Sequence, residues 1–469
     1  MRISTTHPLL QRIDRFLYSP AYFLLLGVLT VLSNVFGLEF FSYTCFILIA
    51  SYVCLLGRDL LPLMPMFACG YISPSSVNNP AFNDKSIFSP KGGGLYLAVL
   101  IAVILGCLIY RLVKDTDFGG KRFLGKKRRL LPGMCILGIC YAISGLTSGQ
   151  WEKYGWQNLL FAFLQFVAVA GLYWLLSGGV KWEQAPKAYL SWTGVCVGYV
   201  LVAELINIYM NGAIVDGAIF RDHITTGWGH YNSIGALLAI VIPLPFFLTG
   251  KGRFAWFAYA TAFVFWLALL FTCSRGSIVV GTVIYAAGYV LSLLHSRHAR
   301  AQIGVHAVSI LLPVIIVVCF YKELQELFWR MTEIGLESST QRVITYKEGI
   351  KQFLQNPIFG GSFFPVDFWP HAWAEVPGFK ALFPPRWHNT VVQLLATGGV
   401  TCLAGYAFHR LQTLKLFFKN FATEKLFAGL SVAALLLTSM VDCHFFNVGP
   451  VLLYSALLAF VEFRLDKQK

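Results

Sequence analysis

Charge is what this sequence has least of. Asp, Glu, Lys and Arg make up 13% of its 469 residues, where soluble domains carry roughly 25%. Hydrophobic residues make up 57%, and a chain this apolar would expose more hydrophobic surface than water tolerates. A large soluble globule is thereby excluded. The 11 cysteines contain no CxxC pair, which removes zinc-knuckle and thioredoxin-type readings. Cys45, Cys54, Cys135, Cys140 and Cys196 stand alone in hydrophobic stretches, where cysteine behaves as a small apolar residue. No cleavable leader is evident, because Arg2, Arg12 and Arg15 lead into a run that reads as a first anchor. No internal repeat is visible. Acidic residues are also few, and the net charge of +15 raises the question of nucleic acid. Its distribution answers against it, since the basic residues fill short gaps between apolar runs, as membrane topology signals do.

What is abundant is spanning-length hydrophobic sequence. Apolar segments fall at 20–38, 40–57, 59–72, 94–110, 130–147, 156–176, 188–210, 230–249, 254–272, 276–294, 303–321, 388–408, 426–441 and 444–463. The third is short and holds Pro62 and Pro65, so a tilted, broken or re-entrant element fits it. The expectation is an all-α polytopic membrane protein of 12–14 transmembrane helices, forming one integral membrane domain over 1–469. With the N-terminus inside, cytoplasmic segments carry 25 Lys and Arg and outer segments 12, seven of the latter in the long stretch 322–387. Short-loop charge is the part that orients a chain, so both termini are expected in the cytoplasm. Arg111 to Arg129 is the densest inner block.

The segment 322–387 is then an extracytoplasmic loop between spans. Its first part, Phe328 to Leu354, suits amphipathic surface helices. Its second part, with Pro357, Gly360, Gly361, Pro365, Pro370, Pro377, Pro384 and Pro385, reads as an irregular lid.

Three polar groups fall at outer ends of spans on that orientation. They are Arg221-Asp222-His223 with Gly229-His230-Tyr231-Asn232, then Cys273-Ser274-Arg275-Gly276-Ser277, then Arg386-Trp387-His388-Asn389. Each has an ordinary explanation: Arg275 snorkels to headgroups, His388 beside Trp387 anchors the interface, Asp222 pairs with Arg221, and Asn389 caps a helix. Together they suggest more. Arginines with few carboxylates nearby suit phosphate oxygens, and a neutral histidine can take a proton from a hydroxyl. Phosphoryl-linked lipid chemistry at the outer leaflet fits that set. Glu204, in mid-span, is expected to face protein or a cavity. It keeps a proton-coupled transporter open as a reading of a different class, although the polar residues gather at one outer face and not at the midplane.

Four blocks resemble the O-antigen ligase and polymerase superfamily of bacterial membrane glycosyltransferases. Arg221 followed by Gly229-His230-Tyr231-Asn232-Ser233-Ile234-Gly235 resembles the family's arginine and Gly-x-x-Asn-x-x-Gly element. Ser274-Arg275-Gly276-Ser277 resembles its Ser-Arg-Gly-small motif. Ser339-Thr340-Gln341-Arg342 with Asn356-Pro357-Ile358-Phe359-Gly360 resembles its outer-loop arginine and Pro-x-x-Gly turn. His388-Asn389-Thr390, with Gln393 and Gly398-Gly399, resembles its His-Asn block. Order and separation agree over about residues 200–410; His230 and Tyr231 depart from the small residues or Pro more usual there.

The resemblance implies a GT-C-like enzyme of the bacterial inner membrane with an extracytoplasmic site. It implies a glycan donor on polyprenyl diphosphate (undecaprenyl diphosphate in bacteria), a glycolipid or glycan acceptor, and neither metal nor other cofactor. Membrane lipids are partners and nucleic acid is not. Carried over, Arg221 and Arg275 bind the donor diphosphate and His388 is the catalytic base. Arg342, His230 and Asn389 position acceptor or donor, with His230 a second candidate base. The acceptor stays open between lipid A core, for a ligase, and a lipid-linked repeat, for a polymerase.

Overall fold

The computed structural model describes residues 8–72, 94–114, 125–211, 213–215, 218–219, 224–226, 229–250, 252–295, 303–319, 321, 342–363, 386–420 and 422–466. Its helices are α1 (Pro8–Leu17), α2 (Pro20–Phe36), α3 (Glu39–Leu55), α4 (Leu63–Ile72), α5 (Gly94–Lys114), α6 (Leu131–Ala142), α7 (Gln150–Phe166), α8 (Leu172–Gly179), α9 (Tyr189–Asn211), α10 (Tyr231–Val241), α11 (Ala255–Leu270), α12 (Arg275–His295) and α13 (Ile303–Cys319). Then come α14 (342–355), α15 (Thr390–Phe418), α16 (Thr423–Thr438) and α17 (Val448–Phe460). A π-helical turn, Val167–Gly171, joins α7 to α8. Strands among the described residues are confined to two hairpins of two-residue strands, β1–β2 (Ile214–Val215 with Ala218–Ile219) and β3–β4 (Thr225–Thr226 with Gly229–His230).

The chain is an all-α polytopic membrane protein. Each apolar segment of the sequence carries a helix. Among the described residues, five are long and apolar enough to cross a bilayer, and six if the bent pair α1–α2 is one span. Several others are short, α4 with 10 residues and α6 with 12. The short third segment carries α4, which begins after Pro62 and includes Pro65.

The bundle is layered around α10. Its span, Tyr231–Leu248, is 89% buried, against 28% for Arg275–His295; it packs on α9, α11, α12, α16 and α17. Glu204 of α9 is buried in the same interior, as a charged group in a span should be. Basic residues expected as topology signals also close backbone ends. Arg111 donates to the carbonyls of Val53, at 2.8 Å, and Gly57, at 2.7 Å, at the end of α3. Lys425 donates to Leu416 O and Lys419 O beyond α15 and pairs with Asp466, which also holds Arg129.

The main difference from the sequence reading lies in 356–363. Its end is wedged into the bundle, with Ser362 and Phe363 fully buried, while 364–385, which hold most of the expected lid, lie outside the described residues. α15 breaks at Gly399, where φ is 63°, about 14 Å along the helix from Thr390. The break exposes backbone groups that hydrocarbon cannot satisfy. The wedge satisfies them: Val400 N donates to Pro357 O at 2.9 Å and Thr401 N to Ile358 O at 3.2 Å, while Gly361 N and Ser362 N donate to Ala396 O and Thr397 O at 2.9 Å. Asn158 of α7 accepts from Phe363 N at 3.2 Å and donates to Tyr141 O at 3.0 Å. Phe363 packs edge-on or tilted against the rings of Tyr141, Phe161 and Phe446. Any side chain at Gly399 meets Pro357 O and Ile358 O in a left-handed conformation. Gly399→Ala should therefore cost about 1–3 kcal/mol, read as a lower melting temperature in detergent.

Candidate functional site

Three helices begin at one place. Asn232 is the second residue of α10, Arg275 the first of α12, and His388 lies two residues before α15. The link between α16 and α17 supplies Asp442, His444 and Asn447.

Asp442 is the hub, and it is buried. One carboxylate oxygen accepts from Asn232 Nδ2 at 2.9 Å. The other accepts from Cys443 N at 2.7 Å and faces His388 Nδ1 at 3.5 Å. Asn232 Oδ1 in turn accepts from Ser274 Oγ at 2.8 Å, and Ser274 lies 3.0 Å from Ser277 Oγ. The amide orientation follows from the network, because an ionised carboxylate only accepts. This close approach needs Gly235, where a Cβ would stand 2.7 Å from Ser277 Cβ.

Burial alone would push the Asp442 carboxyl up. The facing His388 ring and the charges of His444, His388 and Arg386 outweigh it and hold the group well below its usual range. The sign of the linkage follows. A lowered folded value means that ionised Asp442 stabilises the native state fully above about pH 4, its unfolded value. That stabilisation is lost as pH falls through the folded value. The melting-temperature gap between wild type and Asp442→Asn should thus hold from neutral down to about pH 4 and close below it.

His388 is held in an uncommon backbone state, with φ at 52°. Its neighbours enforce it. Trp387 N donates to Gln393 Oε1 at 2.9 Å, the Tyr346 hydroxyl donates to His388 O at 3.1 Å, and Asn389 caps α15 by accepting from Val391 N and Val392 N. Cys273, just before Ser274 and Arg275, also has positive φ, 55°. Such strain gathers at functional sites. The His388 side chain is 34% exposed, so with Nδ1 on Asp442, Nε2 is left to meet a ligand.

Arg275 is half-buried at the start of α12. Arg342 opens α14, one turn from Tyr346, and its charge lowers the Tyr346 hydroxyl pKa against the larger upward push of burial; Asp442 pushes the same hydroxyl up. Arg342, Tyr346, His388 and Asp442 therefore share one electrostatic neighbourhood. Three helix N-termini at one spot, one of them opened by Arg275, suit an anion. Asn389 also donates to Met440 O at 2.8 Å, which ties α15 to the link carrying Asp442. Among the described residues no three His, Cys, Asp or Glu side chains form a metal-ligating group.

Of the expected residues, His388, Arg275, Arg342 and Asn389 are found at this site. Arg221 lies outside the described residues, as does the His230 side chain, although the His230 backbone forms β4 immediately before α10. Asp442 was not anticipated. Its signal was there: it is the single charged residue between Lys425 and Glu462, and an acid stranded in apolar sequence asks for a partner.

A family model described as O-antigen ligase matches residues 260–407. That region holds the Ser274–Ser277, Arg342, Pro357–Gly360 and His388–Asn389 blocks, and excludes Asn232 and Asp442. No curated protein matches the chain.

Proposed function

We propose that the protein transfers a glycan from polyprenyl diphosphate to an acceptor hydroxyl at the outer face of the bacterial inner membrane, with lipid A core as acceptor, in the manner of an O-antigen ligase. The observation that carries this reading is His388 oriented on a buried, ionised Asp442 beside Arg275, inside a region matched by that family's model. The inner-loop charge bias supports the orientation, with both termini in the cytoplasm.

His388 Nε2 takes the proton from the acceptor hydroxyl as its oxygen attacks the anomeric carbon. The bond from that carbon to the diphosphate oxygen breaks, and polyprenyl diphosphate leaves with one more negative charge. Asp442 stabilises the imidazolium formed in this step and fixes the tautomer that precedes it. Arg275, with Arg221, meets the growing charge on the leaving group, so that binding strengthens toward the transition state. Arg342 positions the donor or acceptor phosphate. A single displacement inverts the anomeric centre. No metal or nucleotide takes part in these steps.

Reconstitution with one defined lipid-linked repeat and two acceptors tests the reading. A single shift of lipid A core is the expected product. Ladders of lengthening lipid-linked chains would assign the same site to a polymerase, and solute flux with no glycan transfer would replace both by a transporter.

A further inference from the structure

Helix α14 has two dissimilar sides. Its inner side is docked on the site: Tyr346 bonds to His388 O, and Gly349 lies so close to Trp387 that a Cβ there would stand 3.0 Å from the ring. Its outer side is open. A groove of 410 Å³ runs along it, lined by Val343, Lys347, Ile350, Lys351 and Leu354 and bordered by Tyr346 on the side toward the site. Val343 is 50% exposed and Leu354 69%. Leucine, isoleucine and valine are seldom presented together to water, and two lysines punctuate the same face. Lys351 also pairs with Glu348 at 3.7 Å, a surface contact that leaves most of its ammonium exposed.

The exposed strip does not end with the helix. Ile358 follows it, 57% exposed, and meets the spanning helix α15 through the bond from Thr401 N; beside it Val400 is 47% exposed. The apolar face of α14 is thus continuous with the lipid-facing side of a span. A helix with an apolar face, flanking lysines and a neighbouring span lies in the plane of the interface, and its basic groups attract anionic headgroups.

We propose that the outer face of α14 docks anionic phospholipid of the outer leaflet, acyl chains against Val343, Ile350 and Leu354 and headgroup phosphates on Lys347 and Lys351. The lipid thereby holds α14, and with it Tyr346 and Arg342, against His388. The proposal rests on the outward-facing site of the preceding reading, and its test does not depend on turnover.

Full-length protein carrying a benzophenone amino acid in place of Ile350 is reconstituted in phosphatidylcholine vesicles, or in equal phosphatidylcholine and phosphatidylglycerol, and irradiated. Leu311 of α13, 56% exposed, carries the same group as control. Ile350 is expected to cross-link phospholipid, enriched in phosphatidylglycerol about fivefold or more, the equivalent of one lysine–headgroup contact. Lys347→Ala with Lys351→Ala should erase the enrichment and keep the cross-link, and Leu311 should show no preference. Cross-linking of Ile350 to protein, or to lipid only when a polyprenyl diphosphate donor is added, would overturn the proposal and assign the groove to a partner or to the donor tail. Absence of lipid at Ile350 while Leu311 cross-links would overturn it as well. Failed glycan transfer with this cross-linking pattern intact would sink the catalytic reading alone.

Discussion

Asp442→Asn should lower glycan transfer about 10²–10⁴-fold, the range of a lost general base. The carboxylate faces His388 Nδ1 at 3.5 Å and is itself held by Asn232 and Cys443 N. An amide in its place keeps the shape and loses the charge, so nothing stabilises the imidazolium and the wrong tautomer of His388 becomes accessible. His388→Ala should lose a similar factor. The double variant should be little worse than either single one, because the two residues act as a unit. Rates multiplying in the double variant would separate them. Insertion and melting behaviour at neutral pH should show whether the His388→Ala protein is folded, the native side chain being 34% exposed.

Arg275 carries the second large effect. Arg275→Ala should reduce kcat about 10²–10³-fold, as removal of a charge-stabilising donor does, with a smaller change in donor KM. The asymmetry is the point: the leaving diphosphate gains charge only as the glycosidic bond breaks, so the guanidinium contributes most in the transition state. Arg275→Lys should recover little, because an ammonium cannot reproduce the planar fork. Equal losses in binding and turnover would instead make Arg275 an anchor for the ground state.

Much of this arrangement was legible in the sequence. His388-Asn389 and Ser274-Arg275 stand out because polar groups at span ends are few, and inner-loop charge puts them on one side. The helices follow from hydrophobic length alone, which is why each apolar segment carries one. Two features were hidden. Asp442 sits in a short link that periodicity divides between two spans, and its bond to Asn232 joins helices α10 and α16 across the bundle. The wedge at 356–363 looked like surface because Pro and Gly mark turns without telling whether a turn is wet. Only its pairing with the broken backbone at Gly399 makes burial possible. Cap chemistry, in contrast, was readable: Asn389 before an apolar run is a helix start, and it caps α15.

The most direct test of the central claim is the anomeric configuration of the product formed by purified protein from a polyprenyl diphosphate-linked glycan, without nucleotide. Attack by an acceptor hydroxyl activated by His388 gives an inverted linkage with one polyprenyl diphosphate released per glycan transferred. A retained linkage, or free glycan in place of a glycosylated acceptor, would contradict it.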